Sequence, residues 1–90
     1  MRSRRTARFK RLFEKLPAEV QQSAQQAYHL FQRDRAHPRL QFKRLRADRQ
    51  TYSIRIGLGY RALGIRFDET LVWYWIGPHA EYDRLISQLK

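Results

Sequence analysis

Ninety residues suffice for one small hydrophobic core and leave no room for a second. Nineteen Lys and Arg against eight Asp and Glu give a formal net charge of +11, and 42% hydrophobic content with 13% aromatics sets the chain apart from a disordered basic tail. With no cysteine, disulfides and thiolate metal sites are excluded. No apolar run reaches the about 18 residues of a membrane span, and no apolar stretch follows MRSRR as a secretory signal requires. These features describe a basic domain expected in the cytoplasm, with a charge that calls for a polyanionic partner.

Residues 1–6 are arginine-rich and expected to fray. Phe9, Leu12, Phe13 and Leu16 then recur at i, i+3, i+4, i+7, the stripe of an amphipathic helix. Arg8, Arg11 and Lys15 lie on another face of it. Pro17 stops this helix and suits the start of the next, in which Val20, Ala24, Ala27 and Phe31 carry the apolar spacing to Arg33. The two helices form an antiparallel hairpin, closed by the extended or turn geometry that His37-Pro38 imposes. Beyond residue 40 the period falls to two. Residues 41–45 form a short strand, residues 46–51 a polar loop, and Tyr52, Ile54 and Ile56 alternate with Ser53 and Arg55 in a second strand. Gly57-Leu58-Gly59 is turn chemistry, residues 60–67 return, and Asp68-Glu69 turns again into residues 70–77, apolar on both faces and therefore a covered strand. Gly77-Pro78 ends it, and residues 80–90 form a short terminal helix. The expected fold is α+β, one domain over residues 1–90: an N-terminal helical hairpin packed on a four-stranded antiparallel meander, with a short C-terminal helix.

Strand pairing locates the polar residues. A three-residue loop at 57–59 sets Arg55 opposite Arg61, a like-charge pair that an anion between the two guanidiniums would relieve. Ser53 shares that face. A two-residue turn at Asp68-Glu69 pairs Arg61 with Ile76 and brings His79 beside both arginines; a histidine there can transfer protons near neutral pH. Alternation puts Trp73 and Trp75 together on one face with Leu71, as core, and Tyr74 on the face of Arg61. His29 falls opposite the apolar stripe and His37 in a turn. Nothing has metal-ligand spacing, and no metal or cofactor is expected.

The run LPAEVQQSAQQAYHLFQRDRAHPRLQFKRL followed by YSIRIGLGYRALGIRFDETLVWYWIGPHAEYDRLI resembles the RelE/ParE superfamily of type II toxin–antitoxin toxins over residues 9–86. Its distinctive pieces are the helical hairpin with HPRL, the YSIRIG…YRAL hairpin and IGPH. Members usually begin with a strand before the first helix, a strand that the short arginine-rich start leaves truncated or missing. RelE-like and YafQ-like members cleave mRNA in the ribosomal A site, whereas ParE-like members poison DNA gyrase. The resemblance favours the RelE/YafQ-like branch and implies Arg55 and Arg61 as strand cations on the scissile phosphate. His79 matches the histidine of the Gly-Ser-His segment of YafQ-like toxins, where RelE has an arginine. Tyr82 is an auxiliary candidate because RelE-like chains carry a catalytic tyrosine in the C-terminal segment. Ser53 stands where a strand lysine is usual.

The resemblance thus implies a metal-independent endoribonuclease, a toxin that inhibits translation and is neutralised by a cognate acidic antitoxin. The 2′-hydroxyl of RNA would attack the adjacent phosphorus, the arginines would hold the added negative charge, and His79 would move a proton. Arg8, Arg11, Lys15, Lys43, Arg44 and Arg46 are the expected contacts to mRNA, ribosomal RNA or antitoxin. The alternatives are a ParE-like gyrase inhibitor and a non-toxic basic module that binds RNA or the ribosome.

Overall fold

The computed structural model describes residues 1–46 and 48–89; Ala47, in the expected polar loop, and Lys90, at the expected end of the last helix, lie outside the described residues. Strand β1 (Arg2–Arg5) leads into helices α1 (Ala7–Glu14) and α2 (Ala18–Arg33). A 3-10 turn at Pro38–Leu40 precedes β2 (Lys43–Arg44), β3 (Thr51–Ile56), β4 (Tyr60–Phe67), β5 (Thr70–Pro78) and α3 (His79–Ser87). The helical hairpin, the antiparallel meander and the terminal helix are those expected from the sequence.

Thr6 caps α1, its hydroxyl oxygen accepting from the Phe9 amide at 3.1 Å. The Gln21 side-chain amide donates to the Phe13 and Leu16 carbonyls at 3.1 Å each, tying the start of α2 to the end of α1. The first of these carbonyls belongs to the last turn of α1, where helical partners run out, and the second to the link that follows it.

The strand count differs from expectation. Residues 2–5 do not fray: β1 pairs in parallel with β5, and the sheet is mixed and five-stranded in the order β1-β5-β4-β3-β2. The docking is made by backbone, with Arg2 N–H donating to Glu69 O at 2.8 Å and Thr6 N–H to Trp73 O at 3.0 Å. A polar RSRR run hides such a strand because its side chains stay largely outside; Ser3 alone turns inward and accepts from the Trp73 indole at 3.2 Å. β1 also resolves a conflict in the meander, which would leave the most apolar strand at an edge. With β1 in place, β5 has a neighbour on each side, and the exposed edge is charged.

A second difference lies between β4 and β5. The turn at Asp68-Glu69 is as expected, pairing Phe67 with Thr70, but the register shifts between Leu63 and Gly64, which pair with Trp75 and Trp73. Tyr74 is the extra residue of a β-bulge. The two tryptophans therefore face opposite sides. Trp73 joins Phe9, Ala24, Ala27, Phe31, Leu71 and Ile76 beneath the helical hairpin. Trp75 packs with Leu45, Leu63 and Tyr82 beneath α3. The same shift makes Gly77, not Ile76, the partner of Arg61. The molecule is thus three layers deep, and the single core expected from the chain length is divided by the sheet into one on each face.

Gly64 makes this arrangement possible. A Cβ built there would lie 2.9 Å from Trp73 Cε3 and 3.2 Å from Leu71 Cγ, both within the helix-side core. Gly64→Ala is expected to destabilise the protein by about 1–3 kcal/mol through overpacking, read as a lowered urea midpoint. An unchanged midpoint would show that Trp73 has room to move.

Candidate functional site

Arg61 is the centre of the site. It stands near the start of β4, 4% exposed, with no carboxylate in salt-bridge contact among the described residues. Burying a guanidinium without a counter-ion is costly, and neutral oxygens must replace its water. Its terminal nitrogens donate to Gln41 Oε1 at 3.2 Å, to the Gln41 carbonyl at 3.5 Å and to Ser53 Oγ at 3.1 Å. Its charge lies 5.0 Å from the centre of the Tyr82 ring, a cation–π contact. Among the described residues, Arg61 Nε is the buried side-chain polar atom that has no partner. Burial pulls this guanidinium below the usual arginine value, Tyr82 opposes that pull, and Arg55 adds to it.

Tyr82 links this buried charge to the surface. Its hydroxyl donates to Ser53 Oγ at 3.3 Å, so Ser53 accepts from both Arg61 and Tyr82. On its other side the ring meets His79 edge-on, with centroids 5.6 Å apart. His79 opens α3 and is exposed; its backbone N–H donates to Gly59 O at 2.9 Å, which fixes the helix start against the β3–β4 loop. Its Nδ1 lies 3.2 Å from Asp83 Oδ2, one helical turn on. A carboxylate at that distance accepts from Nδ1 and orients the ring.

Arg55 does pair directly with Arg61, as expected. The two guanidiniums nevertheless engage different partners. Arg55 Nε donates to Gly57 O at 2.9 Å, and its side chain lines a cleft with α2 rather than the Ser53–Tyr82 cluster. On the Arg61 side the protein partners of the guanidinium are Gln41, Ser53 and the Tyr82 ring.

The other expected contacts divide into two groups. Lys43, Arg44 and Arg46 line a cleft of about 480 Å³ whose far wall is Tyr82, Asp83 and Ile86 of α3. Arg8, Arg11 and Lys15 lie exposed on α1. Tyr74, expected on the face of Arg61, packs on that face, against the α3-side core. His29 is exposed, and His37 caps the 3-10 turn by accepting the Arg39 amide at 3.1 Å.

Two participants had no reading in the sequence. Asp83 follows His79 at i+4, a spacing visible once the helix is taken to start at 79 rather than 80. Gln41 gave no signal; it sits in the left-handed region at φ 45° after the 3-10 turn, which turns both its oxygens toward Arg61.

Gln41→Ala would leave part of the Arg61 guanidinium unsatisfied and should cost about 1–3 kcal/mol, measured by chemical denaturation; a cost near zero would mean that water replaces the amide freely. Tyr74 supplies a pH test. Burial, reinforced by Asp48, lifts its hydroxyl above the ordinary value of 10.0. The stability linked to that retained proton is complete below 10.0 and is lost as pH rises from there through the higher folded value. The denaturation midpoint of Tyr74→Phe should therefore fall less steeply above that pH than that of the natural sequence. Parallel curves would remove Tyr74 from the alkaline transition.

The fold recurs among solved structures. The RelE toxin of a RelB–RelE antitoxin–toxin complex from Methanococcus jannaschii superposes with a TM-score of 0.72 at 16% identity, covering 90% of this chain and 96% of that one. The isolated Escherichia coli RelE toxin gives 0.66 at 16% identity, over 99% and 98%. A chain of the RelBE2 toxin–antitoxin complex from Mycobacterium tuberculosis gives 0.60 at 28% identity, over 87% and 96%. No curated protein matches the chain. The ParE-like toxin domain matches residues 18–84, a span that holds α2, all of the meander and the Arg61–Tyr82–His79 cluster. The chain belongs to this family, and with it to the RelE/ParE superfamily of toxin–antitoxin toxins.

Proposed function

We propose that this toxin is a metal-independent endoribonuclease that cuts mRNA, acting at the ribosome, and that a cognate acidic antitoxin holds it in check. The observation that carries the reading is the buried, acid-free guanidinium of Arg61 placed one aromatic ring away from an exposed His79–Asp83 pair. A fold has little structural reason to bury a cation against neutral oxygens, and perturbed groups of this kind cluster at functional sites. The RelE-like architecture supports the same chemistry, and two of the similar structures are of toxin–antitoxin complexes.

RNA enters along the cleft between β2 and α3, where Lys43, Arg44 and Arg46 meet the phosphodiester backbone. The 2′-hydroxyl attacks the adjacent phosphorus while the bond to the 5′-oxygen breaks, giving a 2′,3′-cyclic phosphate and a free 5′-hydroxyl. His79 carries one of the two protons through Nε2, taking that of the 2′-hydroxyl or giving one to the leaving 5′-oxygen, with Asp83 holding the ring by Nδ1 and water carrying the other. Arg61 stabilises the extra negative charge on the phosphorane-like transition state; its unpartnered Nε–H is the donor that an incoming phosphate oxygen satisfies as Tyr82 yields. Arg55, directed to the loop, stands to one side of this centre. DNA lacks the attacking hydroxyl, which restricts the reaction to RNA.

The match to the ParE-like toxin domain supports a second reading, inhibition of DNA gyrase by surface contact without hydrolysis. Mapping mRNA cuts in translation reactions beside a supercoiling assay separates the two. New cuts are expected with the natural sequence. His79→Ala should slow cleavage by about 10²–10⁴-fold, Asp83→Asn by less, and Arg61→Gln should lower the rate with folding checked by its denaturation midpoint. Intact mRNA together with blocked supercoiling would transfer the protein to the gyrase class.

A further inference from the structure

A second cationic cleft lies on the α2 side of β3. Its volume is about 480 Å³, and its walls come from the C-terminal half of α2, the 3-10 turn and the β3–β4 loop. Arg33, Arg39 and Arg55, one from each of three separate elements, line it, and no Asp or Glu does so among the described residues. None of the three has a carboxylate in salt-bridge contact among the described residues. Three uncompensated guanidiniums around one concavity raise a local positive potential beyond that of a scattered basic surface.

The interior of the cleft is different in kind. Leu30 and Leu40 form apolar wall, and Leu58 projects from the loop tip at 92% exposure. A leucine held out in water at the rim of a cationic cleft suits a ligand with an apolar face and an anionic edge. A nucleotide has both: its phosphodiester meets the arginines, and its base lies against leucine side chains and guanidinium planes.

We propose that this cleft binds a nucleotide of a single RNA strand that flanks the bond to be cut. The placement rests on the endoribonuclease reading above. Arg55 pairs directly across the sheet with Arg61, so the two guanidiniums start from neighbouring positions and diverge, Arg55 to this cleft and Arg61 to the Ser53–Tyr82 cluster. A strand held at the cluster by one phosphate can reach the second cleft with another. Arg55, named from the sequence as a ligand of the scissile phosphate, becomes a ligand of its neighbour. Its side chain is already steadied by the bond to Gly57 O, which lowers the ordering cost on binding.

The test is equilibrium binding of a short 2′-O-methyl oligoribonucleotide, which cannot be cut, so that its result does not depend on whether the protein is a nuclease. Arg33→Gln/Arg39→Gln should weaken binding about tenfold and reduce the salt slope by about 1.4, the share of two single-strand phosphate contacts. Arg2→Gln/Lys10→Gln removes the same charge elsewhere and should weaken binding by less. Both altered arginines are exposed, so folding should persist; should the double variant fail to fold, each single variant is expected to weaken binding on its own. Equal losses in the two double variants would reduce the effect to net charge and overturn the site. Displacement of the oligonucleotide by inorganic phosphate at matching concentration would assign the cleft to a free anion, and equally effective displacement by polyglutamate would assign it to an acidic protein; either result overturns the proposal. Loss of binding in a protein that makes no cuts would sustain the cleft and sink the nuclease reading alone.

Discussion

The structure depends on the burial of β5. Leu71, Trp73, Trp75 and Ile76 leave this strand no solvent-facing side, so both its faces and both its edges must be covered. The helical hairpin covers one face and α3 the other, while β4 and β1 cover the edges. In a chain of ninety residues this consumes nearly every element available. The functional consequence is α3. A helix recruited to bury Trp75 also brings Tyr82 over Arg61 and sets His79 at its exposed start. Packing and the candidate site share one helix.

The bulge at Tyr74 makes that sharing possible. In an unbroken ladder Trp73 and Trp75 would project to the same side, overloading the helix-side core and leaving α3 without an anchor. One extra residue sends an indole to each face. It also shifts the end of β5 so that Gly77 lies beside Arg61. A side chain at Gly77 would press on Trp75, its Cβ 2.7 Å from Cζ2. The glycine thus serves the close approach of α3 as much as the ending of the strand.

What the sequence disclosed follows the range of the interactions involved. Local periodicity revealed both helices, the meander and the Arg55–Arg61 pairing, because a glycine loop of known length sets its own register. β1 was hidden because its stability comes from backbone bonds to a strand some 70 residues away, which leave no mark on RSRR. The bulge was hidden because alternation assumes an unbroken ladder, and only the space beside Gly64 shows where it breaks. In the site, His79, Arg61, Ser53 and Tyr82 were all visible as residues. What holds Arg61 buried among them was not, because it includes Gln41, a residue with no chemical signature that acts through a left-handed backbone after a turn.

The net charge of +11 takes on a spatial meaning in this light. One arginine is buried and held by neutral oxygens, where its electrostatic effect is strongest and its own solvation poorest. Two groups of cations flank it, one at β2 and one spanning α2, the 3-10 turn and β3. Solvent-exposed charges serve encounter and docking and are weakened by salt, while the buried one is largely shielded from it. Under the proposed endoribonuclease reading, binding to a polyanion and action on a single phosphate would draw on different cations and respond differently to ionic strength. Such a division would let one small domain carry a large excess of positive charge without the docking surface competing with Arg61 for the same phosphate.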